Sequence, residues 1–152
     1  MQRRTFAKGA LALWAMSTTQ AWASDAIKGD LTRLRQEEKL ARDLYLALHE
    51  RWQLPVFANI ADAEQRHLDA VGRQIERQGW DDPIRGLRRG AFLDPSLQRL
   101  HDELLEQGLA SEIGALRAGA RVEDLDIADI ADMLPRADHE ALAAMYEHLM
   151  CG

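Results

Sequence analysis

The 152-residue sequence is short of cysteine, proline and aromatic residues, with one Cys, four Pro and 6% Phe, Trp and Tyr. A lone cysteine, Cys151, cannot form an intramolecular disulfide. Its penultimate position reads as an exposed thiol, not as a nucleophile set beside a base. Positive charge is also scarce: 19 Lys and Arg stand against 25 Asp and Glu, a formal net charge of −6 with no basic stripe. Such a chain makes a poor partner for nucleic acid or anionic lipid. Apolar residues make up 47% of the chain and charged residues 29%, the composition of one globular domain and not of a disordered or fibrous chain.

The N-terminal residues read as an address. Arg3, Arg4 and Lys8 precede a stretch of Ala, Leu, Trp and Met, and Ala21-Trp22-Ala23 precedes Ser24. That is the basic, apolar and small-x-small order of a cleaved signal peptide, expected over residues 1–23, with the folded domain over 24–152. Ser17, Thr18, Thr19 and Gln20 break the apolar stretch below the roughly 20 residues a bilayer span needs, so no stable membrane anchor is expected after cleavage. Arg3-Arg4 with Phe6 and Lys8 resembles the twin-arginine export signal, and an ordinary secretion signal shares most of these features. Cleavage takes the formal charge from −6 to −9 and places the mature protein in the periplasm.

After Ser24 the apolar residues recur at spacings of three and four, with no sustained strand alternation, so the expected class is all-α. A first helix is expected from Asp30 as N-cap to about Trp52, and a second from near Val56 to Gly79. A loop carrying Arg85, Arg88 and Arg89 follows, read as solvated because no glycine-rich strand-to-helix turn accompanies it. A short helix from Pro95 to Gln107 should close at Gly108. Ser111 should cap a helix to about Leu134, and Asp138 a last one reaching the C-terminus.

The seams of these helices carry the chemistry. The first runs Leu31, Leu34, Glu38, Ala41, Tyr45, Leu48 and Trp52, and the second Phe57, Ile60, Glu64, His67, Val71 and Ile75. The fourth runs Ile113, Leu116, Ala120, Glu123, Ile127, Ile130 and Leu134. Each apolar row is interrupted by a carboxylate. A single such Glu is ordinarily a splayed end or the partner of an arginine, here Arg42 or Arg66, and a lone His is ordinarily a packed core residue. Three mid-helix interruptions together have a different explanation. Buried carboxylates shift their pKa or find a cation, and the i, i+3 spacing of Glu64 and His67 puts an oxygen and a nitrogen donor on one helix face. Carboxylates from facing helices with Glu-x-x-His are the donor set of di-iron and di-manganese bundles, which points to metal binding through Glu38, Glu64, His67 and Glu123. Asp126, three residues after Glu123, is a further candidate, whereas His49, His101 and His139 read as surface or packing residues.

Several motifs in order carry a family likeness. Gln36-Glu37-Glu38-Lys39-Leu40-Ala41-Arg42-Asp43-Leu44-Tyr45, Leu54-Pro55-Val56-Phe57-Ala58-Asn59-Ile60 and Glu64-Gln65-Arg66-His67 resemble the DUF2202 family, a ferritin-like group. Phe92-Leu93-Asp94-Pro95-Ser96-Leu97-Gln98 and Gly119-Ala120-Arg121-Val122-Glu123-Asp124-Leu125-Asp126-Ile127 resemble its later motifs. The resemblance implies a ferritin-like up-down four-helix bundle with an extra short helix. It also implies Glu38 as first-helix ligand, Glu64 as bridging carboxylate, His67 as terminal imidazole and Glu123 as third-helix carboxylate. Members of the family continue the last helix to a further histidine. Here that helix is expected to be truncated at Gly152, leaving the site di-iron, mononuclear, completed by another chain, or lost; Glu147 and His148 lie off the apolar stripe.

Two functions follow as expectations. One is an exported metalloprotein that binds iron, with manganese as the alternative metal, and has ferroxidase-like activity on Fe(II). The other is a non-enzymatic helical interaction module that has lost its metal and pairs, as a homodimer or with a partner, through an exposed stripe of Leu142, Met145 and Leu149.

Overall fold

The structure is a computed structural model that describes the backbone of residues 10–151 and the side chains of Trp22 and residues 24–151. The expected leader's Arg3, Arg4, Phe6 and Lys8 lie outside the described residues. Among the described residues there are five α-helices and no strand, so the chain is all-α. They are α1 (Ala10–Trp52), α2 (Pro55–Arg77), α3 (Pro95–Ala110), α4 (Glu112–Met133) and α5 (Glu140–Met150), with a 3-10 turn over Leu134–Arg136. None of these helices is long and apolar enough to cross a membrane among the described residues.

Helix α1 packs on α2, α3 and α4; α3 packs on α4, and α5 closes against α4 and α2. Local chemistry sets most boundaries. Gln53 takes a positive φ of 56° and its side-chain amide donates to the carbonyls of His49 and Glu50, closing α1; Pro55 then begins α2, where a missing N–H costs nothing. Gly79, at φ 69°, ends α2 in a Schellman turn: its N–H reaches Glu76 O and that of Trp80 reaches Ile75 O. Ser111 Oγ accepts from Gly114 N at 2.9 Å, capping α4 as expected.

Three expected boundaries need correction. Helix α1 runs through Asp30, whose carboxylate is occupied by Arg136 at 2.8 and 3.0 Å and caps nothing. Gly108 lies inside α3 and is there for close packing: a Cβ would fall 2.5 Å from Leu48 Cδ2, and its carbonyl accepts from Trp52 Nε1. The cap of α5 is His139, not Asp138; its Nδ1 accepts from Leu142 N at 3.1 Å.

The face of α4 also differs from the expected seam. Ile113, Leu116 and Ile127 are 64%, 52% and 45% exposed, while Ala115, Ala118, Gly119, Val122, Ile130 and Met133 are buried. The inward row is turned by about one residue, or roughly 100°. Size is the cause. Gly119 lies so close to α1 that a Cβ would stand 2.9 Å from the Tyr45 hydroxyl oxygen, a spacing no isoleucine or leucine allows. The stripe of the last helix is not exposed either, since Leu142, Met145 and Leu149 pack against Ile27, Leu31, Val71 and Ile130.

The apolar core consists of two clusters. One gathers Leu44, Tyr45, Leu48, Phe57, Ala61, Leu97, Leu104, Ala115, Ala118 and Val122. The other gathers Ile27, Leu31, Leu34, Val71, Ile75, Ile130, Met133 and the inner side of α5. On α1, α2 and α4 alike, the residues between them are polar: Glu38, then Glu64 and His67, then Glu123 and Asp126.

Helix α4 can turn this closely onto α3 only because residue 114 is glycine. A Cβ there would meet the backbone oxygen of Gln107 at 2.3 Å, and backbone cannot move aside. Gly114→Ala should therefore lower the unfolding free energy by about 1–3 kcal/mol in urea denaturation, although alanine alone favours a helix by about 1 kcal/mol. An unchanged or raised stability would contradict this packing.

Candidate metal centre

From Gln36 to Ala41 every residue of α1 is buried, because three helices and the loop after α2 enclose this stretch. Its polar groups divide into two sets. Those facing the loop are fully partnered. Gln36 Oε1 accepts from the backbone of Leu93 and Asp94, Lys39 Nζ reaches Asp43 and the carbonyl of Arg88, and Asp43 accepts from Gly90 N. The loop that carries the three arginines is therefore docked by its backbone, while Arg85, Arg88 and Arg89 themselves stay exposed and Arg89 pairs with Glu50.

The groups facing α2 and α4 are not partnered. Glu38 is 0% exposed and neither of its carboxylate oxygens has a hydrogen-bond partner. Glu64 is buried beside it, and His67 Nδ1 stands 3.5 Å from Glu38 Oε2 and 3.3 Å from Glu64 Oε2 without hydrogen-bonding either. The donor atoms of Glu38, Glu64 and His67 all lie within 4.8 Å of one another. Metal–ligand bonds of about 2.1 Å separate adjacent donors by roughly 3.0 Å at a right angle and 3.4 Å at a tetrahedral one. The three residues therefore have the spacing of donors around one ion, with the ring nitrogen facing the two carboxylates.

No lysine or arginine pairs with these groups among the described residues. Arg42, one of the two candidate partners, is bound to Asp43 and Gln65, and Arg66 is exposed. Glu123, the fourth expected ligand, is half-buried on α4 and falls outside the trio; its Oε1 accepts from the Tyr45 hydroxyl at 2.7 Å. Asp126 is half-buried as a residue, but its Oδ1 is buried and unpartnered. Glu64, His67, Glu123 and Asp126 line one cavity of about 300 Å³, whose wall also includes Leu149 and Met150 of α5.

The sequence reading passed over Glu37. It is buried next to Glu38, its Oε1 is 2.7 Å from Arg33 Nε, and Arg33 also binds Asp129 of α4 at 2.9 Å. Its neighbour Glu38 is the residue that the three- and four-residue spacing marks, and no periodicity marks a helix enclosed on several sides. Of the other residues considered, His101 is buried against Phe92, His139 is a helix cap, and Glu147 and His148 are exposed, with Cys151 exposed as expected.

These surroundings hold protons. Burial pushes Glu38 well above the ordinary carboxyl range, and burial with the nearby charges of Glu64 and Glu123 lifts Asp126 to about 7. Burial, then the contact with Asp129, lifts Glu37 to about 9. The carboxylates of Glu38 and Glu64 lift His67 to about 10. Burial also raises Glu123, against the pull of the Tyr45 hydrogen bond, and raises the Tyr45 phenol itself.

Glu38, Glu64, His67, Glu123 and Asp126 all fall within the stretch that a known family matches. The family described as "Uncharacterized protein domain (DUF2202)" matches residues 28–152. The chain is 43% identical to the uncharacterized protein MJ0754 of Methanocaldococcus jannaschii over 129 residues, 85% of this chain and 70% of that one. The crystal structure of hypothetical protein MJ0754 superposes with a TM-score of 0.78 and 36% identity, covering 99% of this chain and 76% of that chain.

Each raised value has the same sign for stability. Glu37, Asp126 and His67 bind their protons more tightly in the folded chain than at their ordinary values of 4.5, 3.8 and 6.5. The folded state thus carries more protons than the unfolded one, and stability falls as pH rises. The carboxyl contributions decline from about pH 4 up to about 7 and 9, and that of His67 between about 6.5 and 10. In chelator, the melting temperature should drop steadily from about pH 5 to about pH 9. A melting temperature rising over that range would show that the folded chain does not hold these protons.

Proposed function

Since the chain belongs to the DUF2202 family, a grouping defined by sequence and not by activity, its function has to come from the site, and we propose that it is a ferritin-like metalloprotein that binds iron, or manganese in its place, between its helices. In this reading α1, α2, α4 and α5 are the four helices of an up-down bundle and α3 is the extra short one. One observation carries the proposal: Glu38, Glu64 and His67 converge, with both Glu38 oxygens and His67 Nδ1 buried and unpartnered and no lysine or arginine paired with them among the described residues.

A buried, unpaired carboxylate is costly, and two side by side are costlier. A divalent ion removes both charges' penalty at once, while protons do so only partly and at the expense of the pH dependence described above. Oxygen-rich donors suit Fe(II), Fe(III) and Mn(II). Bound iron would supply one-electron chemistry. Glu38 and Glu64 would hold the ion by carboxylate oxygens and His67 by Nδ1, and His67 must give up its proton to do so. Tyr45 orients Glu123 at the wall of the cavity that Leu149 and Met150 also line. The reaction class to assay is ferroxidase-like, in which Fe(II) as substrate loses one electron to dioxygen or peroxide. The residues around Arg3 and Arg4 support export to the periplasm by the twin-arginine route, where the acidic surface would concentrate divalent cations.

Elemental analysis tests the reading. The full chain purified without chelator should carry iron or manganese at about one or two atoms per molecule, as expected of a carboxylate–histidine bundle site, and Glu64→Ala should carry none. Metal should also raise the melting temperature of the wild type and not that of the variant. A folded wild type that takes up neither metal would exclude this function.

A further inference from the structure

Independently of the metal reading, we propose that the outer face of α4 is a self-association surface, on which a second copy of this chain lies antiparallel about a two-fold axis passing Ala120. The turn of α4 that brings Ala115, Ala118 and Gly119 inward leaves an apolar row outside. Ile113, Leu116, Ala120 and Ile127 follow one another at steps of three, four and seven, and all four are exposed. The row extends over about 21 Å of helix. Isolated apolar residues on a surface are ordinary, whereas large ones aligned on one helix face mark a contact. The stripe of Leu142, Met145 and Leu149 cannot serve, because it packs inside the chain.

The order of residues along the row names the occupant. Counted from Ala120, an isoleucine stands seven residues before and another seven after, with Arg117 three before and Asp124 four after. A two-fold axis across α4 at Ala120 reverses the helix direction, so Ile113 of each copy meets Ile127 of the other. The two alanines then face each other at the centre, where their size lets the helices approach. Arg117 of each copy comes level with Asp124 of the other to within about 1.5 Å along the helix, and the two lie only about 20° apart around it. They therefore share one flank of the row, and both cross-copy ion pairs form at once. Neither is ion-paired within its own chain among the described residues, whereas Arg121, further round the helix, lies 3.7 Å from Glu103 of α3. A parallel pair would instead set arginine against arginine and aspartate against aspartate. An apolar and charge order that reads alike from both ends is complementary to itself, the requirement of an isologous interface. Glu123 and Ile127 also line the cavity that holds Glu64 and His67, so the second copy borders the candidate metal centre.

Sedimentation velocity of the full chain reads the association, and cross-linking reads its register. The wild type should be a dimer that dissociates on dilution. Ile113→Glu, at a residue 64% exposed within the chain, should leave the helical spectrum unchanged and raise the dissociation constant at least about tenfold, because its charge meets an apolar side chain. Arg117→Glu and Asp124→Arg should each weaken the dimer, and the double variant should restore it, a rescue that a folding defect cannot produce. In a Cys151→Ser background, Ala120→Cys should be joined between copies by a short bismaleimide. Asp132→Cys should not, since its two copies stand about 36 Å apart along the paired helices. A monomeric wild type would overturn the proposal. So would a dimer indifferent to the Arg117 and Asp124 exchange, or one joined at position 132 and not at 120.

Discussion

The structure depends on interior acidic side chains that no lysine or arginine among the described residues pairs with. Glu38, Glu64, Glu123 and Asp126 occupy a polar layer between two apolar clusters, and among the described residues His67 is the basic group that faces Glu38 and Glu64. Interior carboxylates in water-like numbers would unfold a small helical protein if they stayed ionised. Burial raises Glu38, Glu123 and Asp126 towards the protonated form, and the carboxylates of Glu38 and Glu64 raise His67, so the layer favours holding protons. In the metal-bound form proposed above, a divalent ion would take the place of those protons.

The apolar clusters make that layer possible by fixing the helices on either side of it. Tyr45 and Leu48 above, and Leu31 and Leu34 below, anchor α1, so the Glu38 side chain between them has little freedom to swing out to water. Small residues do the same for α4. Gly119 admits the Tyr45 ring, Tyr45 then holds Glu123, and the resulting rotation brings Asp126 inward. On the opposite side of α1, Lys39 and Asp43 pair with each other and, like Gln36, with the loop backbone, so that this set of buried polar groups is structural. The contrast within a few residues is informative: adjacent acidic and basic groups on one helix separate into a partnered set and an unpartnered one.

Much of this was legible from periodicity. The seams of α1 and α2 stand as their three- and four-residue spacings indicate, and Glu38, Glu64 and His67 meet where those seams cross. The fourth helix misled because Ile113, Leu116 and Ile127 outrank Ala115, Ala118 and Gly119 in hydrophobicity, while close approach to α1 rewards the smaller residues. Gly108 looked like a stop and is a contact; Asp30 looked like a cap and is half of an ion pair with Arg136. In each case the residue type was informative about its immediate backbone and silent about a neighbour many positions away.

Local chemistry thus determined the helices, the Ser111 cap, the glycine at the end of α2 and the placing of Glu64 and His67 on one face, since each depends on residues within a turn or two. Tertiary structure decided which carboxylates lack partners. Arg42 lies four residues from Glu38 and yet binds Asp43 and Gln65; Arg33 passes over Glu38 to hold Glu37 and Asp129. Whether a buried charge is paired depends on what three other helices bring to it, and that is a property of how helices cross, which no spacing along a single helix contains.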